Sequence, residues 1–390
     1  LGVNLRLNEF AAKTVLCAAL LVVGGCNTFL PSAGPSSGDI NNASSSSADL
    51  PYGLVKLNAD AIRIIGEHGP EAIVATFGDQ RPPPEIKFGI GDVVSVTIFE
   101  AASGGLFIPL EAGIRPGNFV TLPNQPVDTS GNISVPYAGS LRAAGKTPTE
   151  VQREIVNAIK NRAIDPQAVV ALATQNTSLI SVLGEVNTPN RFPAQPAGEH
   201  ILDAITRGGG IKDQGYDNWV VLERKGRRAA VPFGALISDP ANNVWAWPND
   251  TIYVFKQPQT FLAFGASGQQ GQFNFDMWRI TLAEAVAKAG GLLDIQADPA
   301  SVYLYRREPR ELAEKLGVDV SKFSGPMVPV IYSVSFRDPA GYFLATKMQM
   351  HDKDIVFAAN APSVELTKFL LLLENAAITG DEAAGIATSW

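Results

Sequence analysis

The chain repeats itself. Val182-Leu183-Gly184 aligns with Ala263-Phe264-Gly265, and this offset of 81 residues then holds without gaps. Phe192 falls on Phe273, Ile201-Leu202-Asp203-Ala204 on Leu282-Ala283-Glu284-Ala285, and Gly209-Gly210 on Gly290-Gly291. After a one-residue slip, Leu222-Glu223-Arg224-Lys225 meets Leu304-Tyr305-Arg306-Arg307. Each copy closes on a matching strand, Asn249-Asp250-Thr251-Ile252-Tyr253 and Lys353-Asp354-Ile355-Val356-Phe357. Duplication restricts the fold strongly, because one small supersecondary unit must serve twice. The pattern in each copy reads strand, turn, helix, Gly-Gly stop, strand, hairpin, strand, which is an α+β module. The second copy carries an extra stretch of helical character, about Glu308 to Gly325, and insertions between strands usually lie on the surface.

Ahead of the repeats, residues 86–176 read as a separate α+β domain. Val94, Val96 and Ile98 alternate with Ser95 and Thr97, the period of a strand with one buried face, and Gly91-Asp92 suits a turn before it. A strand pair follows around Gly131 to Tyr137. Thr147 is placed to cap a helix with Pro148 at its first position, and Val151, Ile155, Ala158 and Ile159 share one of its faces. Ala168 to Ala173 returns to strand.

The N-terminus carries an address. An apolar run from Val15 to Val23, preceded by Arg6 and Lys13, ends at Gly24-Gly25-Cys26. It is too short to span a bilayer, and it reads as a secretory signal over residues 1–25. Cys26 directly after the small residues resembles the lipobox of bacterial lipoproteins, in which that thiol is diacylated. Residues 26–85 then form a lipid-anchored segment. Its Ser/Pro-rich part, residues 27–50, reads as a flexible tether with little to bury. A short helix is predicted around Leu57 to His68, and Arg81-Pro82-Pro83-Pro84 closes the segment.

Charge and cysteine count exclude several functions. The net charge is −7, or −8 without residues 1–25, which argues against nucleic acid as a partner. Cys17 and Cys26 are the two cysteines, so a processed chain has no disulfide and relies on its core or on oligomerisation. The three histidines, His68, His200 and His351, sit in three different modules without metal-ligand spacing. Gly208-Gly209-Gly210 follows a helix and reads as its C-cap rather than as a phosphate cradle. No Gly-x-Ser-x-Gly elbow occurs, and nothing local nominates a carboxylate pair. Arg224-Lys225 with Arg227-Arg228, and Arg306-Arg307, are basic clusters at hairpin ends. They read as solvated turns ahead of sites for an anionic polymer. Trp219, Trp245 and Trp247 read as buried sheet aromatics ahead of sugar-stacking platforms. No catalytic residue, cofactor site or metal site is nominated, and the chain is not read as an enzyme.

The tail, residues 362–390, is amphipathic. Val364, Leu366, Phe369, Leu370, Leu373 and Ala377 fall on one helical face, while Glu365, Lys368, Asn375, Thr379 and Glu382 recur near the helical period. Its apolar stretch, Leu366 to Ile378, is shorter than the ~20 residues of a lone spanning helix. Two readings stand: a stave of an oligomeric ring in a membrane, or a helix packed on its own domain. Pattern alone leans to the second.

Together these residues resemble the Wza-type outer-membrane polysaccharide export lipoproteins, within them the BexD/CtrA/VexA capsule-export branch. Phe88-Gly89-Ile90-Gly91-Asp92-Val93-Val94-Ser95-Val96 resembles the opening of the polysaccharide export sequence domain. The repeats, 177–258 and 259–361, resemble β-grasp soluble-ligand-binding modules. The more specific stretches are Trp247 to Val254, Thr281 to Leu292, Asp338 to Leu344 and Glu365 to Leu370. The resemblance implies a homo-oligomeric ring, commonly of eight subunits. Its C-terminal amphipathic helices would form an α-helical barrel through the outer membrane, with Glu365, Lys368, Asn375, Thr379 and Glu382 lining the pore. It further implies a polysaccharide chain as cargo, an inner-membrane co-polymerase or export component as partner, and attachment through Cys26 with the bulk of the chain in the periplasm. The alternative is a periplasm-facing glycan-binding lipoprotein without a pore.

Overall fold

The structure, a computed structural model, describes residues 34–42, 51–68, 73–78, 81–102, 104–108, 118–364, 366–367 and 370–371. Its elements begin with helix α1 (Ser37–Asn41), strand β1 (Gly53–Lys56) and helices α2 (Ala59–Glu67) and α3 (Ile73–Thr76). Next come strands β2 (Val93–Phe99), β3 (Phe119–Thr121), β4 (Gln125–Pro126), β5 (Asn132–Val135) and β6 (Gly139–Arg142), helix α4 (Pro148–Ile159) and strand β7 (Gln167–Thr174). The first repeat runs through β8 (Leu179–Gly184), β9 (Asn190–Pro193), β10 (Glu199–His200), α5 (Ile201–Arg207), β11 (Asn218–Arg224), β12 (Arg227–Pro232), α6 (Phe233–Ser238), β13 (Trp245–Ala246) and β14 (Thr251–Lys256). The second runs through β15 (Thr260–Gly265), β16 (Gly271–Asn274), α7 (Leu282–Lys288), β17 (Ala297–Pro309), α8 (Arg310–Lys315), β18 (Met327–Val334), α9 (Pro339–Ala345) and β19 (Ile355–Asn360). The described residues divide into two compact units, one drawn from 70–258 and 276–278, the other from 34–68, 259–275 and 279–371.

In the first unit, β2 is the central strand of a small sheet, paired with β3, β4 and β7. Its alternation is the expected one: Val94, Val96 and Ile98 are buried, and Ser95 and Thr97 are half-buried. α4 covers that face with Val151, Ile155 and Ile159. Its start is a capping box, in which Glu150 N donates to Thr147 Oγ1 and Thr147 N donates to Glu150 Oε2 at 2.8 Å. Ala158, expected on the same face, is exposed.

The repeats share one sheet order. The first is β12-β11-β14-β8-β9, and the second is β18-β17-β19-β15-β16 with β1 added beyond β18. In both, the first strand pairs parallel with the last (β8 with β14, β15 with β19), while the hairpins are antiparallel. One helix of each copy packs on the sheet, through Ile201, Ala204 and Ile205 or through Leu282, Ala285 and Val286. Both helices stop on the paired glycines: Gly210 N donates to Ile205 O and Gly291 N to Val286 O. The glycine runs are helix C-caps.

Two readings of the sequence change here. The stretch taken as tether is docked in part: α1 packs on the outer face of the second repeat's sheet, where Ile40 is 2 % exposed among Tyr303, Ile331 and Phe357. Serine caps made that segment look unstructured, yet Ser36 and Asp39 close a capping box and one isoleucine provides the anchor. The insertion after Glu308 is not merely superficial either. Ala313 of α8 joins the main core, against which Ile62 and Ile65 of α2 also pack, and Leu312 beside it is buried. In the other unit, α3 brings Ile73 and Phe77 into the first repeat's core.

Candidate functional site

Strand periodicity explains the most distinctive polar feature. Val220 and Leu222 face the core of the first repeat, so Arg224 two residues on points inward as well. There its Nε donates to Asp250 Oδ1 at 2.9 Å and its Nη2 to Asp250 Oδ2 at 2.7 Å and to Trp245 O at 2.5 Å. Trp247 N donates to the same carboxylate at 2.7 Å, and the preceding Asn249 turns the chain with a φ of 70°. The second repeat builds the same bracket. Arg306 Nε and Nη2 donate to Asp354 at 3.0 and 2.5 Å, Nη2 also to Gln349 O at 2.6 Å, and His351 N to Asp354 at 2.7 Å. Lys353 there takes a φ of 66°. Each bracket ties the end of one strand to the turn that launches the closing strand. Burial pushes the Asp250 carboxyl up, opposed by the bonds from Arg224 and from Trp247 N.

The brackets are sealed differently. Arg224 lies 4.4 Å from the Trp247 ring centroid and 5.4 Å from that of Phe77, cation–π contacts that cover its guanidinium. Arg306 instead has Glu308 at 3.6 Å, and Glu308 accepts from Tyr332 Oη at 2.7 Å. Arg224 and Arg306 are therefore not the solvated turn residues expected. Their neighbours Arg227, Arg228 and Arg307 are exposed, as expected for hairpin ends. Trp219, Trp245 and Trp247 are each half-buried, and Trp245 stacks on His200 at 3.9 Å.

In the domain before the repeats, Asp92 is fully buried and bonded to structure. It accepts from Gly89 N, Asn176 N, Thr177 N and Thr177 Oγ1 at 2.7 to 3.0 Å, tying the entry of the domain to its exit. Glu100 likewise accepts from Leu106 N, Phe107 N and Ile164 N. Carboxylates saturated by backbone donors act as structural clasps. Among the described residues no group of three or more His, Cys, Asp or Glu side chains is placed to hold a metal.

An open cleft of ≈ 870 Å³ lies on the outer face of the second repeat's sheet, between α1 and the β17–β19 strands. No local pattern in the sequence announces it, because its wall comes from Pro35, Asp39, Ile40 and Tyr52, far away in the chain. The predicted membrane residues, Cys26, Glu365, Lys368, Asn375, Thr379 and Glu382, lie outside the described residues. Nearby, Leu366, Leu370 and Leu371 are 50 to 55 % exposed, and no helix among the described residues is long and apolar enough to cross a membrane.

A β-rich leading domain followed by two copies of one bracketed module defines a modular α+β protein with its distinctive polar residues committed to structure. Residues 80–173 match the family of polysaccharide biosynthesis/export proteins, and residues 179–233 and 270–330 match the SLBB domain. The chain is similar to the capsule polysaccharide export protein BexD of Haemophilus influenzae, 31 % identical over 94 % of this chain and 96 % of that protein. It is similar also to the capsule polysaccharide export outer membrane protein CtrA of Neisseria meningitidis serogroup B, 30 % identical over 92 % and 93 % of the two chains. The Vi polysaccharide export protein VexA/TviF of Salmonella typhi is 25 % identical over 71 % and 75 %. The chain belongs to the polysaccharide export family.

Proposed function

We propose that this chain exports capsular polysaccharide or exopolysaccharide through the outer membrane, as one subunit of an oligomeric translocon. The observation that carries the reading is likeness along nearly the whole length of capsule export proteins, in the same chain. Passage of a polymer makes and breaks no bond, so the route needs shape and water rather than a catalytic group.

In the finer reading, the repeats are β-grasp-like rings of the assembly, in which eight subunits are the favoured number. Cys26 carries the lipid, and the tail helices form an α-helical barrel lined by Glu365, Lys368, Asn375, Thr379 and Glu382. Such a barrel keeps every backbone hydrogen bond within its own helix. Two features support it. The half-exposed leucines at positions 366, 370 and 371 favour an outward apolar face over a helix packed on its own domain. Both attachments also leave from one unit: β19 ends at Asn360, and the docked segment resumes at residue 34, eight residues after Cys26. Eight residues reach at most about 29 Å, so the lipid would hold the second repeat near the inner leaflet. An inner-membrane export component would dock on the periplasmic side.

Replacing Trp390 by cysteine tests the crossing. A membrane-impermeant maleimide should label Trp390→Cys in intact cells. Labelling that requires permeabilised cells would contradict it.

A further inference from the structure

The two repeats keep the same backbone and the same buried bracket but present different outer faces. In the first repeat, Glu223 and Arg228 stand opposite each other across the β11–β12 hairpin and close into an ion pair at 2.7 Å. The corresponding pair in the second repeat is Tyr305 and Ile331, so the charges that neutralise that face are gone. Lys353 stands where the first repeat has Asn249. α1 then adds a wall that brings Tyr52 alongside, its hydroxyl donating to Ile40 O at 3.1 Å. The face closed by an ion pair in one copy is a walled cleft in the other.

The chemistry of that cleft is specific. Its volume, ≈ 870 Å³, lies within the about 300–1,000 Å³ of small-molecule sites. Ile331 and Pro329 contribute an apolar floor, and Tyr52 and Tyr305 present aromatic rings. Arg307 is exposed at its edge, and its side chain has no hydrogen-bond or ion-pair partner among the described residues. Lys353, held by Thr260 Oγ1 at 2.6 Å and ion-paired with Asp352 at 3.7 Å, supplies a second cation that is partly neutralised. The acidic side chains nearby are engaged: Asp39 caps α1, Asp354 is held by Arg306, and Asp352 accepts from Thr260 N. Apolar and aromatic surface suits the faces of sugar rings, and a free guanidinium fork suits a carboxylate.

We infer that this cleft is a binding subsite for an anionic saccharide, taking the sugar rings between Tyr52 and Tyr305 and a ring carboxylate on Arg307 and Lys353. The inference rests on the polysaccharide-export reading and narrows its cargo to an acidic polymer. The first repeat has no counterpart, so each subunit carries one such subsite, on the second repeat.

Calorimetric titration of the full detergent-purified chain with hexagalacturonate, and with its uncharged methyl ester, tests it. The carboxylate form should bind and the ester should bind at least about tenfold more weakly. Arg307→Ala should lose about tenfold in affinity, Arg307→Lys should recover part of it, and Arg228→Ala in the first repeat should change nothing. Absent binding by the unaltered chain, or equal binding by Arg307→Ala, overturns the subsite. So does a change of oligomer size in Arg307→Ala, which would make the cleft a contact between copies. Binding is read on purified protein, so its failure leaves export standing. Export that persists without residues 362–390 would remove the translocon reading and leave the binding result intact.

Discussion

Arg306 grips Asp354 through two hydrogen bonds, at 3.0 and 2.5 Å, in a site where both side chains are about 97 % buried or more. Arg224 and Asp250 repeat that geometry in the first module. A buried ion pair is weak evidence of net stabilisation, because desolvation offsets much of the attraction. Removing one partner is another matter, since it strands a charge. Asp250→Ala should therefore destabilise the first repeat by ~3–5 kcal/mol, whereas the paired replacement Arg224→Met with Asp250→Leu should cost much less, because that bracket has no third charge to strand. Denaturant unfolding of the two variants distinguishes these outcomes.

The closing strand of each repeat runs very close to a glycine. A Cβ at Gly184 would sit 1.9 Å from Val254 O, and one at Gly265 would sit 2.1 Å from Ala358 O, both at positive φ. Gly226 also has positive φ but has open space around it. Gly226→Ala should then cost only the ~1–2 kcal/mol of a left-handed L-residue, and Gly184→Ala or Gly265→Ala clearly more. Thermal unfolding midpoints of the three variants would rank them.

Ile40 is the apolar anchor of α1 on the second repeat. Ile40→Ala should weaken that docking by ~2 kcal/mol or more. The expected signature is faster amide hydrogen exchange across residues 37–41, while the core strands β17 and β19 keep their protection.

Alkaline pH acts through Tyr305. Burial, with Tyr52 and Tyr303 nearby, raises its phenol to about 12 from 10. A raised folded-state value means that its contribution is fully present below about pH 10 and is lost as pH rises through 12. Tyr305→Phe should flatten the fall in unfolding free energy between pH 9 and pH 12, measured by denaturant titration at each pH.

Much of this architecture is written locally. The 81-residue offset pairs Gly209-Gly210 with Gly290-Gly291, and the structure places both pairs as helix stops. Thr147-Pro148 starts α4, because caps and fixed φ act within one turn. What stayed hidden depends on chain-distant partners. Arg224 and Arg306 looked like turn cations until their inward register is followed: Leu222 and Leu304 lie in the core two residues earlier, and each arginine continues that face. The cleft was hidden more deeply. Tyr305 meets Tyr52 only because β1 adds to the edge of β18 and α1 folds over the sheet, and no periodicity in residues 34–56 announces that docking.

Surface polymer on cells carrying only the chain truncated after Ala361 tests export most directly. The truncated protein should fold and retain β19 and the Arg306–Asp354 bracket, with no polymer at the surface and polymer held in the periplasm. Normal surface polymer from that truncated chain would contradict it.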